Sequence, residues 1–216
     1  MNIRNFVFLT ALCSSMVLTA APGDILRAKI RYGKDYPMLK KAMKPEDLNV
    51  LAREDGTVTF FGDKKNLRIS VVLKDQDIIS ESTCDQDMQT RYGDSLRFFI
   101  KPSSNTMLWE VQVAANGKKS CFFHWGAGRM FYPLPTVAAP LKVQVNTGRI
   151  AGGWKCEVVF PLELAAKSRK LPADTRWQVM VSRCNFGSNL PSRCESSYPQ
   201  ATVTAVDMQR FGELPY

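Results

Sequence analysis

The chain has 216 residues, 45% of them hydrophobic and 10% aromatic, which is enough apolar material for a real core and excludes a disordered or fibrous protein. Lysine and arginine outnumber aspartate and glutamate by 29 to 20, giving a formal charge of +9, but the basic residues are scattered rather than gathered into a stripe with a recognisable motif. That pattern speaks against nucleic acid as a partner and leaves attraction to acidic polymer as a general consequence of charge.

Residues 1–20 have the build of a secretory signal. Arg4 supplies the positive start, Phe6 to Leu18 the apolar run, and Thr19-Ala20-Ala21 the small residues for cleavage, with the cut expected after Ala20. The run is too short for a stable span, and no other segment could cross a bilayer as a helix. Residues 21–216 are therefore expected to be one exported domain, secreted or periplasmic and without a membrane span; the oligomeric state stays open. Of six cysteines, Cys13 leaves with the leader. Cys184 and Cys194 bracket a short loop and are the expected disulfide; Cys84 with Cys121 is a second pairing that leaves Cys156 single. No CxxC or Cys/His cluster points to a metal.

Pro22 to Pro45 reads as an irregular basic leader around a sheet edge. Strand signals then recur between turns. Thr57–Phe61 follows Gly56, and Leu67, Ile69, Val71 and Leu73 alternate with polar residues. A polar loop carries Asp85 and Asp87 towards Gly93. Leu96, Phe98 and Ile100 then alternate with Arg97 and Lys101, and Trp109, Val111 and Val113 with Glu110 and Gln112. Asn116-Gly117 is a tight turn into Ser120–Trp125. A proline-rich stretch, Pro133 to Pro140, precedes Leu141–Val145. Trp154, Cys156, Val158 and Phe160 share one face, Pro161 opens a short helix, and Trp177, Val179 and Val181 form the last clear strand. The fold class is thus all-β, an antiparallel, jelly-roll-like β-sandwich with one short helix.

The order of these pieces resembles the family 9 carbohydrate-binding modules. The corresponding segments are Asp63–Arg68, Gly93-Asp94-Ser95-Leu96-Arg97-Phe98-Phe99, Trp109-Glu110-Val111, Asn116-Gly117, Gly153–Pro161, Trp177–Arg183 and Arg210-Phe211-Gly212. Together they run from about residue 55 to 214, most like an outlying branch from secreted proteins of polysaccharide-degrading bacteria. The resemblance implies a non-catalytic domain that holds a glycan or polysaccharide, associated with polysaccharide catabolism. It implies no cofactor beyond a structural calcium, for which Asp85, Asp87 and Asp94 are the carboxylates to hand. Two tryptophans sandwich the sugar in well-understood members; here those places hold Arg91, with Tyr92 beside it, and about Ala205. The specificity of those members therefore does not carry over.

Sugar recognition needs an aromatic face against the pyranose and planar polar groups on the hydroxyls. Tyr92, Trp125 and Tyr198 are the expected stacking residues, and Arg183 and Asn185, leaving the last strand, the expected polar contacts. An ion pair of Arg183 with Glu195 or Asp94 is the rival reading. Trp109, Trp154 and Trp177 belong to the core. Two alternatives differ in class. One is a structural or envelope-interaction domain that has lost its sugar site; the other is a small glycoside hydrolase using Glu110 and Glu157 as a carboxylate pair. The single histidine, His124, has no nucleophile signature near it and reads as exposed.

Overall fold

The computed structural model describes residues 27–42, 54–63, 65–87, 92–103, 108–125, 132–135, 142–166, 175–187, 194–201 and 210–215. The expected leader, residues 1–20, lies outside them, as do Arg91 and Ala205. Every named strand pairing is antiparallel. In chain order the strands are β1 (Asp35–Lys40), β2 (Glu54–Gly62), β3 (Asn66–Lys74), β4 (Ser95–Pro102), β5 (Leu108–Ala114), β6 (Lys119–Trp125) and β7 (Tyr132–Pro135). Then come β8 (Gln144–Ile150), β9 (Gly153–Pro161), the helix α1 (Leu162–Ala166), β10 (Trp177–Asn185), β11 (Cys194–Tyr198) and β12 (Gly212–Glu213).

Hydrogen bonds connect these into one path, β7-β6-β5-β4-β10-β11-β1-β2-β3-β9-β8, with β12 alongside β10. The path folds over on itself, because the alternating apolar residues of both halves must be buried against something. Leu96, Phe98 and Ile100 of β4, Val111 of β5 and Val181 of β10 share one core cluster with Ile69 of β3 and Val158 of β9, and all seven are inaccessible to solvent. Trp109 of β5 meets Phe160 of β9 edge-on, ring centroids 6.1 Å apart, across the two layers. The fold is the antiparallel β-sandwich that the alternation predicts.

At the seam between the layers, Tyr36 of β1 stacks on Tyr198 of β11 at 4.5 Å, with Phe60 of β2 about both rings. Here the sequence misleads. The supposed edge leader contributes β1, which lies inside the sheet between β11 and β2. Pro37 hides it, yet β11 pairs only with Leu39 and Lys40, so Pro37 needs no donor on that side. Strand β8 also runs on past Val145 to Ile150, and the SSY tail is part of β11.

Two glycines show how tightly the turns close. Gly117 has φ +86° in the β5–β6 turn, a left-handed conformation that side chains resist. A Cβ on Gly153 would stand 1.8 Å from the Leu73 carbonyl oxygen, so β9 can start beside β3 only without one.

The expected disulfides are not formed: Cys84, Cys121, Cys156 and Cys184 are free thiols. The ladder sets Cys184 against Glu195 and Cys194 against Asn185, so the two cysteines take alternate rather than facing positions. Burial pushes the Cys121 thiol up to about 12 and holds Cys156 higher still, so both stay protonated small hydrophobes. Among the described residues no helix is long and apolar enough to cross a membrane.

Candidate functional site

The two outer faces of the sandwich differ sharply. On β3 the outward positions Arg68, Val72 and Lys74 are exposed, as a solvated sheet face should be. On β5 every residue is buried, outward positions included. The buried outer face of β4, β5, β6 and β10 has an apolar band and two polar regions. The band is Phe99, Leu108 and Met180, covered by Ala201 and by Phe211, whose ring lies 6.1 Å from that of Phe99.

One polar region centres on Glu110. The ladder pairs Arg97 with Gln112 and Leu108 with His124, so Arg97 and His124 approach the carboxylate from opposite diagonals. Arg97 Nε donates to Oε1 at 2.7 Å, Gln112 Nε2 donates to the same oxygen at 2.8 Å, and His124 Nε2 lies 2.6 Å from Oε2. Burial alone would raise the Glu110 carboxyl. The His124 hydrogen bond, the Arg97 charge and the hydrogen bonds from Gln112 and Arg97 outweigh it and bring it down to about 2. Glu110 is therefore a carboxylate at neutral pH, and its contact with His124 assigns the donor role to Nε2–H.

Glu110 is almost wholly covered, but the Arg97 side chain keeps 24% of its surface and lies over the Phe99 ring at 5.0 Å. Next to it on the same face are Ser182, its ladder partner, and Ser95. The hydroxyls of both serines are buried without a hydrogen-bond partner among the described residues. Orphaned hydroxyls beside a held guanidinium are groups that a polar ligand or an ordered water would satisfy. The arrangement offers planar donors and acceptors in fixed positions. A carboxyl at about 2 cannot act as a general acid near neutrality. Glu157 alternates with the core residues Cys156 and Val158 on β9, so it faces out of the opposite layer. With sheets about 10 Å apart before side chains are counted, Glu110 and Glu157 cannot flank one glycosidic bond.

The residues expected from sequence are not gathered into one shelf. Tyr92 is 53% exposed just ahead of β4. Trp125 ends β6, and its side chain lies outside the described residues. Tyr198 is stacked in the seam, where burial and the neighbouring Tyr36 raise its hydroxyl above the ordinary range. Arg183 faces the core side of β10 and is fully buried, donating through Nη2 to Asp75 Oδ2 at 2.9 Å. It thus pairs with a partner other than Glu195 or Asp94. Asn185 lies two residues further on, its side-chain oxygen buried.

Asp94 ties this end of the sandwich together. Its carboxylate accepts the backbone N–H groups of Ile79 at 2.6 Å and Phe186 at 2.9 Å. Burial raises it to about 6 against those two hydrogen bonds, with Asp75 adding to the rise and Arg183 opposing it. Asp85 accepts from the Lys119 backbone, and Asp87 from Thr83, so the three aspartates suggested for calcium have separate duties. Among the described residues no three His, Cys, Asp or Glu side chains gather as a metal cage.

Arg97 and Gln112 were legible as outward strand positions but carried no motif, whereas His124, expected in an exposed loop, is instead a buried residue of β6, only 8% exposed and held against Glu110. The signal that could have found them is polar alternation on adjacent strands whose outer face also carries Phe99, Phe122 and Met180.

No family model matches the chain, and no curated protein matches it in sequence. Solved structures do. A Bacteroides uniformis protein provisionally named as carbohydrate-binding superposes with TM-score 0.63 at 10% identity over 84% of this chain and 85% of that one. A family 9 carbohydrate-binding module of Caldicellulosiruptor kristjanssonii in complex with glucose gives TM-score 0.56 at 14% identity over 88% and 94%. The fold is that of a family 9 carbohydrate-binding module. The cellotriose complex of a family 9 module from the same organism, TM-score 0.52 at 14% identity over 88% and 92%, agrees. In this family 9 fold the Glu110 network occupies the outer face of β4 to β6, whereas Arg183 and Tyr198 serve the inside.

Proposed function

We propose that the protein is an exported, non-catalytic carbohydrate-binding domain, and that it holds a sugar against the outer face of β4 to β6. One observation carries the reading: a fixed array of Arg97, Glu110, Gln112 and His124 beside the unpartnered hydroxyls of Ser95 and Ser182. Guanidinium, carboxylate and amide are planar, and each can engage two vicinal hydroxyls at once. Glu110 fixes the other three, so they are ordered before a ligand arrives and little side-chain entropy is lost on binding. Exposed Tyr92, and Trp125 after His124, are the aromatic candidates for stacking on the ring. The family 9 modules of the same fold that were solved with glucose and cellotriose support a saccharide as ligand. An association with polysaccharide breakdown by other proteins fits a domain of this kind.

Affinity electrophoresis and a glycan array, with the intact protein and its Arg97→Ala and Tyr92→Ala variants, test this. Binding of at least one glycan is expected, weakened about ten-fold or more by Arg97→Ala, the worth of a charge-assisted hydrogen bond. Absence of binding to every glycan, or two variants indistinguishable from the parent, would remove the proposal.

A further inference from the structure

The second polar region of the same outer face lies four residues along β4, about 13 Å from Arg97 at strand spacing and beyond the Phe99 band. It begins at Lys101, which is only 8% exposed. The Lys101 ammonium donates to Gln178 Oε1 at 3.0 Å, and that neutral amide is its hydrogen-bond partner among the described residues. A buried ammonium that meets an amide and no anion is held at a cost, because desolvation is repaid only by an opposite charge.

Its surroundings deepen the deficit. The ladder sets Lys101 against Gln178 and Gln178 against Glu213, and a parallel bridge joins Glu213 to Lys29. One row of side chains therefore crosses four segments on one face. Glu213 is the carboxylate in that row, and it is already engaged by Lys29 and by Arg176, the latter at 3.2 Å. Arg27 contributes a further positive charge close enough to act on Lys101, which burial and that charge together hold below its ordinary pKa. The carboxylate of the row is thus taken up by Lys29 and Arg176, and Lys101 meets none among the described residues. Lys29 and Arg176 remain accessible, with 69% and 58% of their side chains exposed.

We propose that this row binds the carboxylate or sulfate groups of an acidic polysaccharide, with Lys101 as the inner contact and Arg27, Lys29 and Arg176 as the rim. An oxyanion here gives Lys101 the counter-charge it lacks, and a repeating polyanion can engage this row while a neutral ring occupies the Glu110 network. The inference rests on the carbohydrate reading only in taking the ligand to be a glycan.

The test is affinity electrophoresis of the full chain in gels holding polygalacturonate, dextran sulfate or neutral dextran, with Lys101→Gln and Arg176→Gln variants and salt varied. Retardation by at least one polyanion is expected, falling with salt and weakened about five-fold in Lys101→Gln and less in the rim variant. The two polyanions tell carboxylate from sulfate. Binding of cellotriose, followed in parallel, should be the same in both variants as in the parent. Arg176 is exposed, so its variant reports even if Lys101→Gln fails to fold. Equal retardation of parent and both variants, or equal retention by duplex DNA, would overturn the inference and leave only general charge attraction. Loss of cellotriose binding in Arg97→Ala with polyanion binding intact would separate the two sites.

Discussion

Glu110 and Asp94 are both buried carboxylates of one sandwich, yet they titrate in opposite directions. Glu110 is brought down to about 2 and Asp94 is pushed up to about 6. Burial raises both, so the partners make the difference. Glu110 has a guanidinium, an imidazole and an amide in direct contact. Asp94 has two backbone N–H groups, while the nearby Arg183 is committed to Asp75. The first cluster has a cation and two further donors on its carboxylate and lies on an outer face, where the Arg97 side chain keeps 24% of its surface exposed. The second is partly compensated, sits inside and joins segments of the chain. The contrast separates a carboxylate held by charged and polar side chains on an outer face from one held by backbone N–H groups at an end of the fold.

The largest effect should come from removing the inner cation. Arg183→Met leaves Asp75, 5% exposed, without its partner and moves another charge away from Asp94. A loss of about 3–5 kcal/mol is expected, read as the shift in a urea unfolding midpoint with an unchanged slope. A loss below about 1 kcal/mol would show that the inner cluster is not structural.

Next is acid sensitivity of the outer cluster. Glu110 ordinarily titrates near 4.5 and in the folded chain at about 2, so its contribution is complete above pH 4.5 and is lost as pH falls towards 2. A shift of this size is worth about 3 kcal/mol. Glu110→Gln should therefore flatten the decline of the melting temperature below pH 4.5, and an unchanged profile would contradict the network.

The smallest effect has the opposite sign. Asp94 is raised from 3.8 to about 6, so the folded state holds a proton that the unfolded chain has released. Its contribution is present below pH 3.8 and disappears as pH rises to 6. Asp94→Asn should lessen the fall in stability between those limits, and NMR of the labelled carboxyl should titrate near 6; a midpoint at or below 4 would break the comparison.

Much of the layering was legible in the chain. Leu96, Phe98 and Ile100 against Arg97, or Trp154 to Phe160 on alternate positions, leave few ways to bury the apolar set. What could not be read was the value of each outward position. Arg97, Glu110, Gln112 and His124 look like solvated polar residues until register brings three donors onto one carboxylate. Arg183 looked available because it leaves a strand towards a loop, but alternation from Val179 and Val181 carries it inward. Strand β1 went unseen because Pro37 breaks a propensity without breaking a pairing.

By itself the sequence determined the period-two alternation, the turns and hence an all-β sandwich, since local sterics and hydrophobic burial act over a few residues. Only the tertiary structure decided which polar residues meet, because hydrogen bonds and charge compensation depend on strands brought together from positions far apart in the chain. The division between an outer Glu110 network and an inner Asp94 tie is a property of that pairing.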